Sequence, residues 1–166
     1  MEFRKMRRNR QALTQEECVR VLQENTAGTL AVLGDSGYPY AVPLSYVYED
    51  GRIWFHCAVS GHKLDAIRSC DKVSFCVIDQ DQVKPQEYTT YFRSVIVFGR
   101  ARILTDRAQI LSAAERLAYK YAPKDTPVHR REVIEKAGDR LCAVELFIEH
   151  MSGKEARELA AGRDAL

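Results

Sequence analysis

Two periodicities alternate along the chain, and each change from one to the other marks an element. Cys18, Val21 and Leu22 recur at helical spacing behind Thr14-Gln15-Glu16-Glu17, a capping-box pattern in which Thr14 and Glu17 satisfy each other's end groups. Gly28 closes this opening segment. Strand-like runs then dominate. Thr29 to Leu33 is a short apolar run followed by the turn signal Gly34-Asp35-Ser36-Gly37, and Tyr38 to Tyr48 is rich in aromatic and β-branched residues. Val42, Leu44, Tyr46 and Tyr48 fall on one face of that run, and Ala41, Pro43, Ser45 and Val47 on the other. Asp50-Gly51 is a hairpin signal, so Arg52 to Cys57 is expected to return antiparallel. Pro43 cannot donate to a ladder, so its strand is expected at an edge, at a bulge, or open to a ligand.

After Cys57 the period changes again. Leu64, Ile67 and Arg68 fit a short helix ending near Asp71. Lys72 to Ile78 is a strand, Asp79 to Glu87 with Pro85 a polar loop, and Tyr91 to Leu104 a long strand in which Gly99 signals a bulge or sharp bend. Asp106 and Gln109 can cap a helix running to about Tyr121, with Ile110, Leu111, Ala114, Leu117 and Ala118 inward. Pro123 to Lys136 reads as irregular or weakly helical, Leu141 to Glu149 as the last strand, and Ser152-Gly153-Lys154-Glu155 as the opening of a terminal helix. Six strands at hairpin-like spacing, with only short helices between them, predict a mainly β domain built as a closed or partly open antiparallel barrel.

Composition narrows the function classes. With 166 residues and no internal repeat or linker, the chain is expected to be a basic arm over residues 1–12 and one domain over residues 13–166. A net charge of +2 leaves no electrostatic footprint for nucleic acid. The arm carries Arg4, Lys5, Arg7, Arg8 and Arg10 and reads as solvated. No apolar run approaches a membrane span, and no secretory signal follows the basic start. Five cysteines without a C-x-x-C spacing are expected as reduced thiols in a cytoplasmic protein.

The stretch Ile53 to Arg68 carries the most chemistry. A strand ends at Cys57, small residues follow, and a helix begins near His62. The first turn of a helix leaves amide donors unpaired, and with the helix dipole these make an anion site. Ser60 adds a hydroxyl, Gly61 allows close approach, His62 a ring donor and Lys63 a full charge. The same pattern also describes a plain capped helix start with Lys63 in solvent. His56 is either half-buried packing or a donor beside a ligand, and Glu145 and His150 read as surface groups. His56, Cys57 and His62 lack a fourth ligand of any recognised zinc pattern, so no metal is expected. Gly-x-Gly-x-x-Gly, Walker and Gly-x-Ser-x-Gly signatures are absent.

The order of segments carries a resemblance. Gly37-Tyr38-Pro39-Tyr40-Ala41-Val42-Pro43-Leu44-Ser45-Tyr46, Ile53-Trp54-Phe55-His56-Cys57-Ala58, Gly61-His62-Lys63-Leu64-Asp65-Ala66-Ile67 and Val73-Ser74-Phe75 follow one another, and then Tyr91 to Ala101 and Ile148 to Glu155. In this order they resemble the pyridoxamine 5'-phosphate oxidase-like split barrels, and more closely the nitroimidazole-resistance branch. The resemblance implies a six-stranded Greek-key split barrel. It further implies a homodimer with flavin mononucleotide (FMN) at the subunit interface. It places Val42, Pro43, Leu44 and Ser45 along the flavin ring, and His56, Cys57, Ser60, His62 and Lys63 at the ribityl chain and phosphate. Ser94 approaches from the long strand, and His62 is the catalytic candidate. In the oxidase proper the phosphate is held by an Arg-Lys pair. Here the pair is His62-Lys63, which points from vitamin B6 toward reduction of nitroaromatics or another small electron acceptor. The alternative on the same barrel is a non-catalytic binder of flavin, haem or a deazaflavin.

Overall fold

The structure is a computed structural model that describes residues 2–163. Its elements are α1 (Gln15–Glu24), β1 (Ala27–Leu33), β2 (Pro39–Ser45), β3 (Val47–Glu49), β4 (Arg52–Cys57), α2 (His62–Ser69), β5 (Lys72–Lys84), β6 (Thr89–Ile103), α3 (Arg107–Tyr121), α4 (Pro127–Ala137), β7 (Cys142–Glu155) and α5 (Arg157–Arg163). The strands form one antiparallel sheet in the order β2-β1-β5-β6-β7-β4-β3. It is the split barrel the sequence predicts, with seven strands among the described residues rather than six. The extra strand arises because the run Tyr38 to Tyr48 breaks at Tyr46: its first half pairs with β1, and its second half pairs with β4.

The two edges of the sheet are therefore consecutive in the chain, joined through Tyr46. This residue is fully buried. Its hydroxyl donates to the Leu22 carbonyl of α1 at 2.8 Å, and its ring meets Phe75 edge-on at 4.9 Å. Its own amide leaves the ladders and donates to the Tyr121 hydroxyl at 2.9 Å, so α3 supplies the partner that the broken strand lacks. Val21 and Leu22 of α1 enter the barrel with Leu30, Ile53, Phe55, Val77 and Val97 to make the core. The capping box of Thr14 and Glu17 is formed in both directions.

Three boundaries differ from the sequence expectation. β5 runs on to Lys84 through a register shift after Ile78, because β6 continues to offer ladder partners along that polar stretch. Ser152 to Glu155 extends β7 against β6 instead of opening a helix. Glu155, a poor strand signal, is fully buried there and accepts from Arg93 at 3.0 Å; Arg93 also donates to Asp79 at 3.1 Å. Pro127 to Ala137 forms a regular helix, with Thr126 as N-cap and Pro127 in the first turn. In the arm, Phe3 stacks on His150 at 4.6 Å and on Phe98 at 5.7 Å.

Candidate functional site

β4 ends at Cys57, and the segment 58–61 turns the chain into α2. Gly61 is the N-cap of α2 at φ +133°, a conformation side chains disfavour, and the space a Cβ would take is open. No side chain caps this helix, and the His62 and Lys63 amides donate no hydrogen bond among the described residues. Two donors thus face outward at the positive end of the helix dipole, beside the Lys63 ammonium and the exposed Ser60. That combination can hold a phosphate. The His62 ring is fixed over Tyr40 of β2 at 4.3 Å, with Nε2 3.6 Å from an Asp35 carboxylate oxygen.

The predicted ring strand lies close by. β2 is an edge strand, which explains how it carries Pro43. Val42 and Leu44 lean on the core, while Pro43 and Ser45 are exposed outward. Ser45 shares with His56 of β4 a cavity of about 440 Å³, walled by Leu117, Ala118, Tyr121 and Ile134 from α3 and α4. A cavity of equal volume, lined by Glu49, Arg116, Lys120 and Arg131, lies apart from these residues.

Cys57 stands at the junction of the two groups, half-buried, with its thiol pushed up to about 11. Burial is the main cause and the Cys142 thiol adds to it, while Lys63 opposes it. Within one chain, then, the fold gathers Ser60, His62, Lys63 and Cys57 at the turn and Ser45 and His56 at the cavity, with Pro43 between. It does not bring Ser94 to the turn. Ser94 lies nine residues along β6 from Ile103, whose partner Val144 is two residues from Cys142; that is roughly 30 Å of strand. Among the described residues, no three His, Cys, Asp or Glu side chains group as a metal site.

A family model described as pyridoxamine 5'-phosphate oxidase matches residues 14–155. The chain belongs to the pyridoxamine 5'-phosphate oxidase family. Solved structures similar to this family member agree in fold. A conserved hypothetical protein from Mycobacterium tuberculosis has a TM-score of 0.79 at 20% identity, over 93% of this chain and 92% of that one. A candidate 5-nitroimidazole antibiotic resistance protein from Bacteroides thetaiotaomicron has a TM-score of 0.72 at 16% identity, over 87% and 86%. An FAD-binding protein from Mesorhizobium loti has a TM-score of 0.60 at 27% identity, over 87% and 96%. No curated protein matches the chain by sequence.

For this member of the oxidase family, sequence reading missed three residues that shape the site. Tyr40 and Asp35 seat His62, and Cys142 faces Cys57. The first two sit in recognised strand and turn signals, but their contact with a helix start more than 20 residues on has no local signature. The third depends on ladder register alone.

Proposed function

We propose that this chain is a cytoplasmic flavoprotein that binds FMN between two copies of itself and reduces a small-molecule electron acceptor. The observation that carries the reading is the uncapped start of α2, where Gly61, two free amides and Lys63 converge next to an edge strand that carries Pro43. A phosphate of the cofactor fits the turn, held by Lys63 Nζ, the first-turn amides and the Ser60 hydroxyl. Backbone groups of Val42 to Ser45 line the ring, with His56 and Cys57 along the linking chain. When bound, the flavin supplies the electron transfer. The protein's part is to orient the ring, exclude water and move a proton. The last of these falls to His62 Nε2 in this reading, supported by a ring that Tyr40 and Asp35 steady.

The second copy has a role of its own. Ile78, Ile96 and Phe98 stand exposed on the outer face of β5 and β6, and Ser94 shares that face. A partner docked there covers the apolar residues and brings its own Ser94 toward a turn that the same chain's Ser94 cannot reach.

Purified protein with added FMN is expected to keep visible flavin bands through gel filtration at a dimer's elution volume, and Lys63→Ala to weaken FMN affinity about 10- to 100-fold. Protein that washes colourless, or unchanged affinity in Lys63→Ala, would remove the reading. The similar FAD-binding structure favours one second reading, FAD in place of FMN. Mass analysis of the cofactor released on denaturation separates the two.

A further inference from the structure

Cys57 is the last residue of β4 and Cys142 the first of β7, and the antiparallel register sets them directly opposite each other. Cα atoms opposed in this way are about 4.5–5.5 Å apart, within the span that a disulfide bridges. The Cys142 thiol lies near enough to Cys57 to add to the upward push on its ionisation. The pair is the terminal rung of its ladder. Beyond Cys57 the chain enters the 58–61 turn, and before Cys142 it leaves the turn Gly138–Arg140, so the outer side of the rung can adjust its torsions. The other cysteines have no such facing partner: Cys76 lies opposite Thr29 and Ile96, Cys18 lies in α1, and Cys70 follows α2. All five are free thiols.

We propose that Cys57 and Cys142 are a reversible dithiol–disulfide site, oxidised by a hydroperoxide and reduced by a small thiol. The proposal rests on the ladder and not on the flavin reading. Cys57 is half-buried and Cys142 buried, so Cys57 meets the oxidant. Its sulfur attacks one oxygen of hydrogen peroxide. The O–O bond breaks, the departing hydroxide takes up the thiol's proton as water, and Cys57 becomes a sulfenic acid. The Cys142 sulfur then attacks that sulfur: the S–S bond forms, the S–O bond breaks, and the hydroxyl leaves with the Cys142 proton as a second water. Two thiols have lost two electrons, and one peroxide has become two waters. Two molecules of glutathione reverse the change and leave as glutathione disulfide.

The electrostatics set the rate. Lys63 favours the Cys57 thiolate, but burial holds the thiol up to about 11, so little nucleophile is present near neutrality. Oxidation is slow there and speeds up about tenfold per pH unit up to pH 10. The bond, once formed, fastens the end of β4 directly before the anion-holding turn, so the redox state of the pair controls the freedom of that turn.

The test treats the reduced full-length chain with hydrogen peroxide, then follows intact mass and tryptic peptides. The expected result is a loss of about 2 Da, with peptide 53–63 linked to peptide 141–154 and the link reversed by reduced glutathione. Cys142→Ser is expected to lose that mass change and to accumulate oxidised Cys57. Peptides recovered unlinked, Cys57 joined to another cysteine, or an intramolecular Cys57 disulfide persisting in Cys142→Ser would each overturn the proposal. Peptide mapping of the unsubstituted chain decides between these outcomes even if the variant does not fold.

Discussion

Lys120 sits where α3 closes the break in the sheet. Its ammonium donates to the Asn25 carbonyl at 2.5 Å and lies 4.4 Å from the Tyr46 ring centre, yet burial lowers it to about 8 from the ordinary 10.5. The folded state therefore binds this proton less tightly than the unfolded state does. Below pH 8 the protonated lysine costs stability in full; between 8 and 10.5 the unfolded chain holds more protons than the folded one, so stability rises with pH. Urea titrations of the natural chain and of Lys120→Met are expected to show the natural chain gaining relative to the variant across that window, and a constant difference would contradict it. Nothing at Lys120 announces this in the sequence. It looks like an ordinary solvated charge near a helix end, and it becomes half-buried only because Tyr46, far earlier in the chain, leaves the ladder beneath it. Lys63 is the opposite case. Its place in the first turn of a helix behind a glycine is legible because these residues are neighbours in the chain, and local order is what helix-end chemistry depends on.

Elements show the same division between local and distant causes. α1 is legible because the capping box is a contact between residues three apart. α4 carries an equally local signal, Thr126 as N-cap before Pro127, which outweighs the weak apolar periodicity that follows. The end of β7 cannot be read locally. Its strand character comes from pairing with β6, and the burial of Glu155 from its ion pair with Arg93. Gly99 does mark a bend: the β6–β7 register shifts between Phe98 and Gly99. A Cβ there would lie 2.1 Å from the Phe147 carbonyl oxygen and 2.8 Å from Leu146 Cδ2. Backbone cannot yield as a flexible side-chain tip does, so Gly99→Ala is expected to lose about 2–3 kcal/mol in chemical denaturation. A loss under about 0.5 kcal/mol, the usual range for a surface change, would show that the ladder can open there.

For the whole molecule, the proposed dimer turns on what covers the outer face of β5 and β6. Ile78, Ile96 and Phe98 are 63%, 42% and 41% exposed on one continuous surface, and Ser94 lies among them. On the dimer reading, Ile96→Glu places a charge in the covered area without touching either the turn or the core. Sedimentation is expected to shift from dimer to monomer, with FMN affinity falling in the same variant although every residue of the α2 turn is intact. A variant that stays dimeric would move the interface elsewhere. A monomer with full FMN affinity would place the cofactor within one chain.

The pairing of β4 with β7 joins residues 52–57 to residues 142–147. On the ribosome, β4 emerges long before the strand that will flank it, and until then its only sheet neighbour is the three-residue β3. The nascent chain can assemble β1, β2, β5 and β6 by pairings that do not involve β7, but it carries Ile53, Trp54 and Phe55 with one edge unsatisfied until β7 is made. The closing step of folding thus waits for the last strand to be synthesised. Chains halted by a premature stop before Cys142 should be strongly prone to aggregation and chaperone capture, although they contain every residue of the turn into α2.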